Sequence, residues 1–278
     1  MLADAQVVPD ALVVAWADTA GRHALPVFLA LLFALLIVTA AVAWAVQRSP
    51  LRRVPYMRPS VRVLLARLAV GFAVVVVCGW AFAEVAEKLG DGRTLGRADH
   101  ALADALQASV PALALQFFAA LTHLGDPVTL TVVCIAVGIA LVLRQQPALA
   151  VGWVVAVAGN GVLNMALKQV FARARPVHDT ALAQAQGFSF PSGHTSGSVV
   201  VFGMLAYLAM RLLPERWIVP VGLTAVALAF SVGASRVFLR VHFASDVIAG
   251  FASGAAWLAV CVASLELTRW AARAGERA

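Results

Sequence analysis

Seven stretches of this chain are apolar for so long that a lipid bilayer is the only surrounding that suits them. A helix needs roughly 20 residues to cross about 30 Å of hydrocarbon. Runs of that kind lie near 24–46, 63–83, 127–143, 147–167, 194–213, 217–235 and 243–265. Inside lipid the backbone finds no water to bond, so such runs must be helical. The expected fold is an all-α integral membrane protein, a multi-pass bundle of about seven transmembrane helices. A count of six holds if Leu25 to Val46 is a retained signal-like anchor. With 62% hydrophobic and 13% charged residues, the chain is far more apolar than a soluble domain.

A net charge of +7 raises nucleic acid as a partner. The basic residues are spread between the runs instead of gathered on one soluble face, which excludes it. They report orientation instead. Arg48, Arg52, Arg53, Arg58, Arg62 and Arg67 surround the first connection, Arg144 the third, Arg211 and Arg216 the fifth, and Arg269, Arg273 and Arg277 follow the last run. The positive-inside rule makes these segments cytoplasmic and puts the N-terminus, with Asp4, Asp10 and Asp18, outside. Nineteen arginines against two lysines suggest a high-GC bacterial genome, and the expected location is the cell (inner) membrane with the active site facing the periplasm or outside. Cys78, Cys134 and Cys261 each lie within a run and read as packing residues.

Two outer connections are long. In the first, near 84–126, Asp99 to Leu106 repeats its apolar residues at helical spacing and predicts an amphipathic helix on the membrane surface. The second, near 168–193, is dense in polar and charged groups.

Three segments carry the candidate chemistry. Lys168 to Pro176 ends the fourth run, where Pro176 stops the helix. Taken alone, its cations fit an ordinary helix C-terminus. Phe190-Pro191-Ser192-Gly193-His194 opens the fifth run, and a helix N-terminus is a ready anion site. Taken alone, it also fits a plain cap with an interfacial histidine. Ser235 to Asp246 joins the last two runs; His242 and Asp246 are four apart and share a face if the helix has begun by His242. Hydropathy and arginine counts, used without reference to chemistry, bring all three segments to the outer face. Together they supply fixed cations, helix-end N–H donors, a histidine with its orienting carboxylate and a second histidine for proton transfer. That inventory suits a transferring phosphoryl group.

The same segments resemble the tripartite signature of the type 2 phosphatidic acid phosphatase superfamily, in its integral membrane branch. Lys168 with Arg175-Pro176, then Pro191-Ser192-Gly193-His194, then Ser235-Arg236, His242 and Asp246 match it at eleven specified positions in order. The resemblance covers about residues 95–265. It implies a lipid phosphate or diphosphate phosphatase in which His242 attacks phosphorus, Asp246 supports its imidazolium, and His194 protonates the leaving oxygen and then activates water. Lys168, Arg175, Ser192, Gly193 and Arg236 would hold the phosphate oxygens, with no metal and no cofactor. The implied partners are a lipid phosphate and the bilayer. Phosphatidic acid, phosphatidylglycerol phosphate, lipid A phosphates and polyprenyl diphosphates all fit, with a lean to a general or polyprenyl-diphosphate phosphatase. Residues 1–62 would then be an extra helix and basic loop, and 63–278 the phosphatase membrane domain.

The superfamily also includes soluble vanadium-dependent haloperoxidases, which the hydropathy excludes, and phosphotransferases, which use the same site. From other classes, a transporter or a non-catalytic lipid binder would also show charges at membrane depth. Arg173 and Arg240 lie off the specified positions and read as outer-rim charges. His178 and Asp179 read as mouth residues, His123 and Asp126 as a cap of the third run, and His100 as part of the surface helix.

Overall fold

The computed structural model describes residues 2–48, 61–90, 92–176 and 186–275. They form ten α-helices in chain order: α1 (Leu2–Arg22), α2 (Ala24–Arg48), α3 (Val61–Glu87), α4 (Thr94–Ser109), α5 (Ala112–Thr122), α6 (Pro127–Leu143), α7 (Pro147–Phe171), α8 (Gly193–Leu212), α9 (Ile218–Phe238) and α10 (Ala244–Gly275). Among the described residues there is no strand. Six helices, α2, α3, α7, α8, α9 and α10, are long and apolar enough to cross a membrane. The protein is a multi-span membrane protein, as its hydropathy requires.

The third expected span is the short one. α6 has 17 residues, bounded by Pro127 at its start and Arg144 at its end. At 1.5 Å per residue it is about 25 Å long, less than the hydrocarbon thickness. The amphipathic helix expected around Asp99 is α4, but its polar residue does not face water. Asp99, Ala103 and Leu106 point inward and are buried. Between α4 and α5 the chain bends by 119°.

α1 is a helix that the sequence reading did not anticipate. It packs along α4, where Gly21 lets the two approach so closely that a Cβ would lie 2.5 Å from the Ala105 methyl. Ser109 Oγ donates to Gly21 O at 2.8 Å, and Arg97 pairs with Asp10 at 3.1 Å. α2 is held to the bundle by aromatic rings. Phe28 packs edge-on to Phe118 and Phe238 and stacks on Phe230.

Lipid tails are as apolar as leucine, so membrane helices associate through close packing of small residues and through polar contacts. α8 and α10 use both. A Cβ at Gly250 would lie 2.8 Å from Ser192 O, and one at Gly254 would lie 2.9 Å from Ser196 Cα and O. The two backbones therefore touch along Gly250 to Gly254. At their outer ends the Ser192 N–H donates to Asp246 O at 3.0 Å. At the opposite end Glu266 of α10 accepts from Arg67 of α3 at 2.9 Å and from Tyr207 of α8 at 2.8 Å, and pairs with Arg211. α7 ends, α8 begins, α9 ends and α10 begins on the same side of the bundle, which gathers the three motif segments there.

Gly254→Ala forces its methyl against backbone and is expected to cost about 1–3 kcal/mol. The thermal unfolding midpoint in detergent should fall, whereas Gly79→Ala, which meets nothing within 4 Å, should leave it in place.

Candidate active site

The chain leaves α7 through Ala172, left-handed at φ 44°, whose N–H donates to Lys168 O at 2.9 Å. That turn frees the next residues from the helix. A returning strip lies beside them: Ser189 N–H donates to Arg173 O and Ser189 Oγ to Ala174 O, both at 2.8 Å. Lys168 Nζ donates to Phe188 O. Arg175 donates to Gln186 O at 3.0 Å, Gly187 O at 2.9 Å and Val241 O at 2.8 Å, so its guanidinium is held on several sides. His178 and Asp179 lie outside the described residues.

α8 opens at Gly193, where a Cβ would lie 2.8 Å from Asn164 Oδ1. A side chain here would have to displace the Asn164 amide of α7. Ser192 is fully buried, and its Oγ accepts from Thr195 Oγ1 at 2.9 Å. His194 follows in the first turn, with Nε2 2.7 Å from Asp126 Oδ1.

α9 delivers Arg236, 3% exposed, whose Nη1 donates to Thr122 Oγ1 at 2.7 Å. The Arg236 carbonyl accepts from both Val241 and His242 N–H at 3.2 Å, folding the chain back through Arg240 at φ 54°. His242 thus stands before α10 and not on its face, since the helix begins at Ala244. It meets Asp246 by a different route. Asp246 Oδ2 accepts the Phe243 N–H at 2.9 Å, capping the helix, and the same oxygen lies 3.3 Å from His242 Nδ1.

The other ring nitrogen of His242, Nε2, lies 3.0 Å from Arg175 Nη1. A guanidinium only donates. Nε2 therefore carries the lone pair, and the ring proton sits on Nδ1 toward Asp246. Burial pushes the imidazole well below its ordinary pKa, against the opposing pull of the Asp246 carboxylate.

Arg173 and Arg240 are not rim charges. Arg173 Nη1 donates to Asp246 Oδ1 and Ser245 Oγ, both at 2.7 Å, and Nη2 to Asp99 Oδ2 at 2.9 Å. Its guanidinium also lies over the Phe243 ring at 4.3 Å. Two buried carboxylates demand a buried cation between them, and α4 and α10 supply one each. Asp99 closes the set by accepting the Ser245 N–H at 3.1 Å. Arg240 is 8% exposed, and its Nη1 has no hydrogen-bond partner among the described residues. His100 packs edge-on to Phe243. Asp126, expected to cap α6, makes no side-chain bond to that helix and turns to His123 and His194 instead.

Lys168, Arg175, Gly193, His194, Arg236 and His242 line one cavity of about 680 Å³, together with Asp126 and Asn164. Its other wall is apolar, with Leu130, Cys134 and Ile135 from α6 and Val157 and Met165 from α7. Ile135 is 57% and Met165 62% exposed on the outer surface of the bundle, so this wall opens between α6 and α7 toward lipid. Ser192 does not line the cavity.

A helical bundle with this cationic, histidine-bearing cavity at one end defines an integral membrane protein built to hold an anion and move a proton. Residues 149–270 match the PAP2 superfamily, and the chain belongs to it. It is 33% identical over 137 residues to phosphatidylglycerophosphatase B of Bacillus subtilis (strain 168), covering 48% of this chain and 66% of that one. It is 34% identical over 133 residues to lipid A 1-phosphatase of Rhizobium johnstonii, covering 43% and 50%. The chain thus spans between half and two thirds of these relatives. Among solved structures it resembles a transmembrane PAP2 type phosphatidylglycerolphosphate phosphatase from Bacillus subtilis. There the TM-score is 0.64 at 26% identity, over 68% of this chain and 94% of that one.

An unfolded histidine takes up its proton near pH 6.5. Folded His242 resists protonation, so below that pH the unfolded state binds more protons. Its contribution to stability is complete above about pH 6.5 and declines as pH falls. Between pH 7 and 5 the unfolding midpoint should drop, and His242→Asn should flatten the slope.

Proposed function

We propose that this protein is a metal-independent lipid phosphate phosphatase that works on the outer, periplasmic face of the inner membrane through a phosphohistidine at His242. The observation that carries this reading is the convergence of Lys168, Arg175, His194, Arg236 and His242 on one cavity whose far wall is apolar. A charged headgroup suits the first end and an acyl or prenyl tail the second. The similarity to a phosphatidylglycerophosphatase and to a lipid A 1-phosphatase supports the substrate class. Arginines 48, 62, 67, 144, 211, 216 and 269, at the opposite ends of the helices, support the outward orientation.

Residues 63–278 would form the phosphatase unit, with residues 1–62 an addition to it. The His242 Nε2 lone pair attacks phosphorus and the bond from phosphorus to the lipid oxygen breaks. His194 gives that oxygen a proton. Arg175 moves its hydrogen bond from Nε2 to a phosphate oxygen as the N–P bond forms. Water then attacks phosphorus, His194 takes its proton, and the N–P electron pair returns to His242. Lys168, Arg175 and Arg236, with the Gly193 N–H, stabilise charge on the equatorial oxygens in the place of a metal clamp. Ser192 supports the helix start from behind.

The test is phosphate release by purified protein in detergent with EDTA, from phosphatidic acid, phosphatidylglycerol phosphate, lipid A and undecaprenyl diphosphate. Release should persist in EDTA and fall by at least about a thousandfold in His242→Ala. Lys168→Ala should chiefly raise KM. Phosphate appearing on an added alcohol instead of in solution would show a phosphotransferase, and no turnover of any lipid would sink the reading.

A further inference from the structure

Asp126 is the only carboxylate among the described residues lining the cavity. It occupies the N-cap position of α6, where its carbonyl accepts the Leu130 N–H at 2.9 Å but its side chain makes no cap bond. Both oxygens face imidazoles: Oδ1 lies 2.7 Å from His194 Nε2 and Oδ2 2.5 Å from His123 Nδ1. The hydrogen bonds from the two histidines outweigh the effect of its partial burial, so its carboxyl lies below its ordinary pKa. As an ionised carboxylate it only accepts, which fixes a proton on His194 Nε2.

The surroundings of His194 give this contact its weight. Arg236 faces it from α9, Arg175 from the segment after α7, Lys168 from α7 and His242 from the turn before α10, across the same cavity. Every charge among these is positive, and each disfavours an imidazolium. A general acid must hold its proton until the leaving oxygen needs it. Among the described residues lining the cavity, Asp126 alone supplies an opposing charge, with exposed His123 behind it.

We propose that Asp126 is the positioning residue of proton transfer: it keeps the proton on His194 Nε2, turns Nδ1 toward the leaving oxygen and stabilises the His194 imidazolium. This rests on the phosphatase reading above. The cavity then holds two histidine–carboxylate pairs with opposite tasks. Asp246 shares its charge with Arg173, and burial leaves His242 neutral and nucleophilic. Asp126 spends its charge on histidines alone and favours a proton on His194.

The test compares wild type, Asp126→Asn and Asp126→Glu as full-length protein in detergent. Each is assayed on phosphatidylglycerol phosphate, whose alkoxide needs a proton, and on p-nitrophenyl phosphate, whose phenolate leaves without one. The rate of phosphoenzyme formation is followed against pH. Asp126→Asn should lower that rate on the lipid by about ten- to a hundredfold and spare the aryl ester. Protonated His194 is the active form, so losing the carboxylate lowers its pKa, and the alkaline limb on the lipid should move down by about 1–2 pH units. Asp126→Glu should restore the limb. The position of a limb does not depend on how much protein is folded, so partial misfolding leaves the test intact. Equal losses on both esters with an unmoved limb would show a merely structural carboxylate and overturn the proposal. Wild type inert on every lipid phosphate would overturn the phosphatase reading and this proposal with it.

Discussion

The site depends on a contact between two backbones. α8 and α10 cross with glycine against main chain at Gly250 and Gly254, and the Ser192 N–H closes the crossing onto Asp246 O. No side chain intervenes, so the start of one helix is fixed against the start of the other to within a hydrogen bond. Gly193 and His194 ride on the first helix, and the capping carboxylate of Asp246 on the second. Membrane interiors offer little hydrophobic drive for such precision, and close approach of small residues supplies it.

Around that crossing sits a layer of buried charge that never reaches the cavity. Arg173 lies between Asp246 and Asp99, and Ser245 ties the two carboxylates together. The arrangement links α4 to the beginning of α10 and to the exit of α7. Removing Arg173 would leave two buried carboxylates without their cation, whereas removing either carboxylate would leave Arg173 paired with the other.

Much of this was legible in the sequence, and the parts that were not share a cause. Hydropathy places spans to within a few residues because lipid allows no other use for long apolar runs. The eleven signature positions fall in three short segments with fixed spacing inside each, so local spacing exposes them even though Arg175 meets His242 from 67 positions away. Arg173, Asp99 and Asp126 act across sequence separations of 68 to 74, and no local pattern announces such partners. Arg173 looked like a rim charge because a lone arginine near a helix end usually is one. α1 escaped notice because its packing against α4 depends on Gly21 and Ser109, residues with no periodic signature. The Gly250-x3-Gly254 spacing was a readable sign of close helix packing, and it points to the crossing.

α6 stands beside the open wall of the cavity and is about 5 Å shorter than the hydrocarbon it borders. A membrane meets a short helix by thinning around it, by drawing flanking side chains to the interface or by helix association. Where the bilayer thins to match α6, a headgroup beside the parting of α6 and α7 would sit nearer the level of Arg175 and His242, and the membrane's own shape would do part of the lifting that a soluble enzyme has to do with binding contacts.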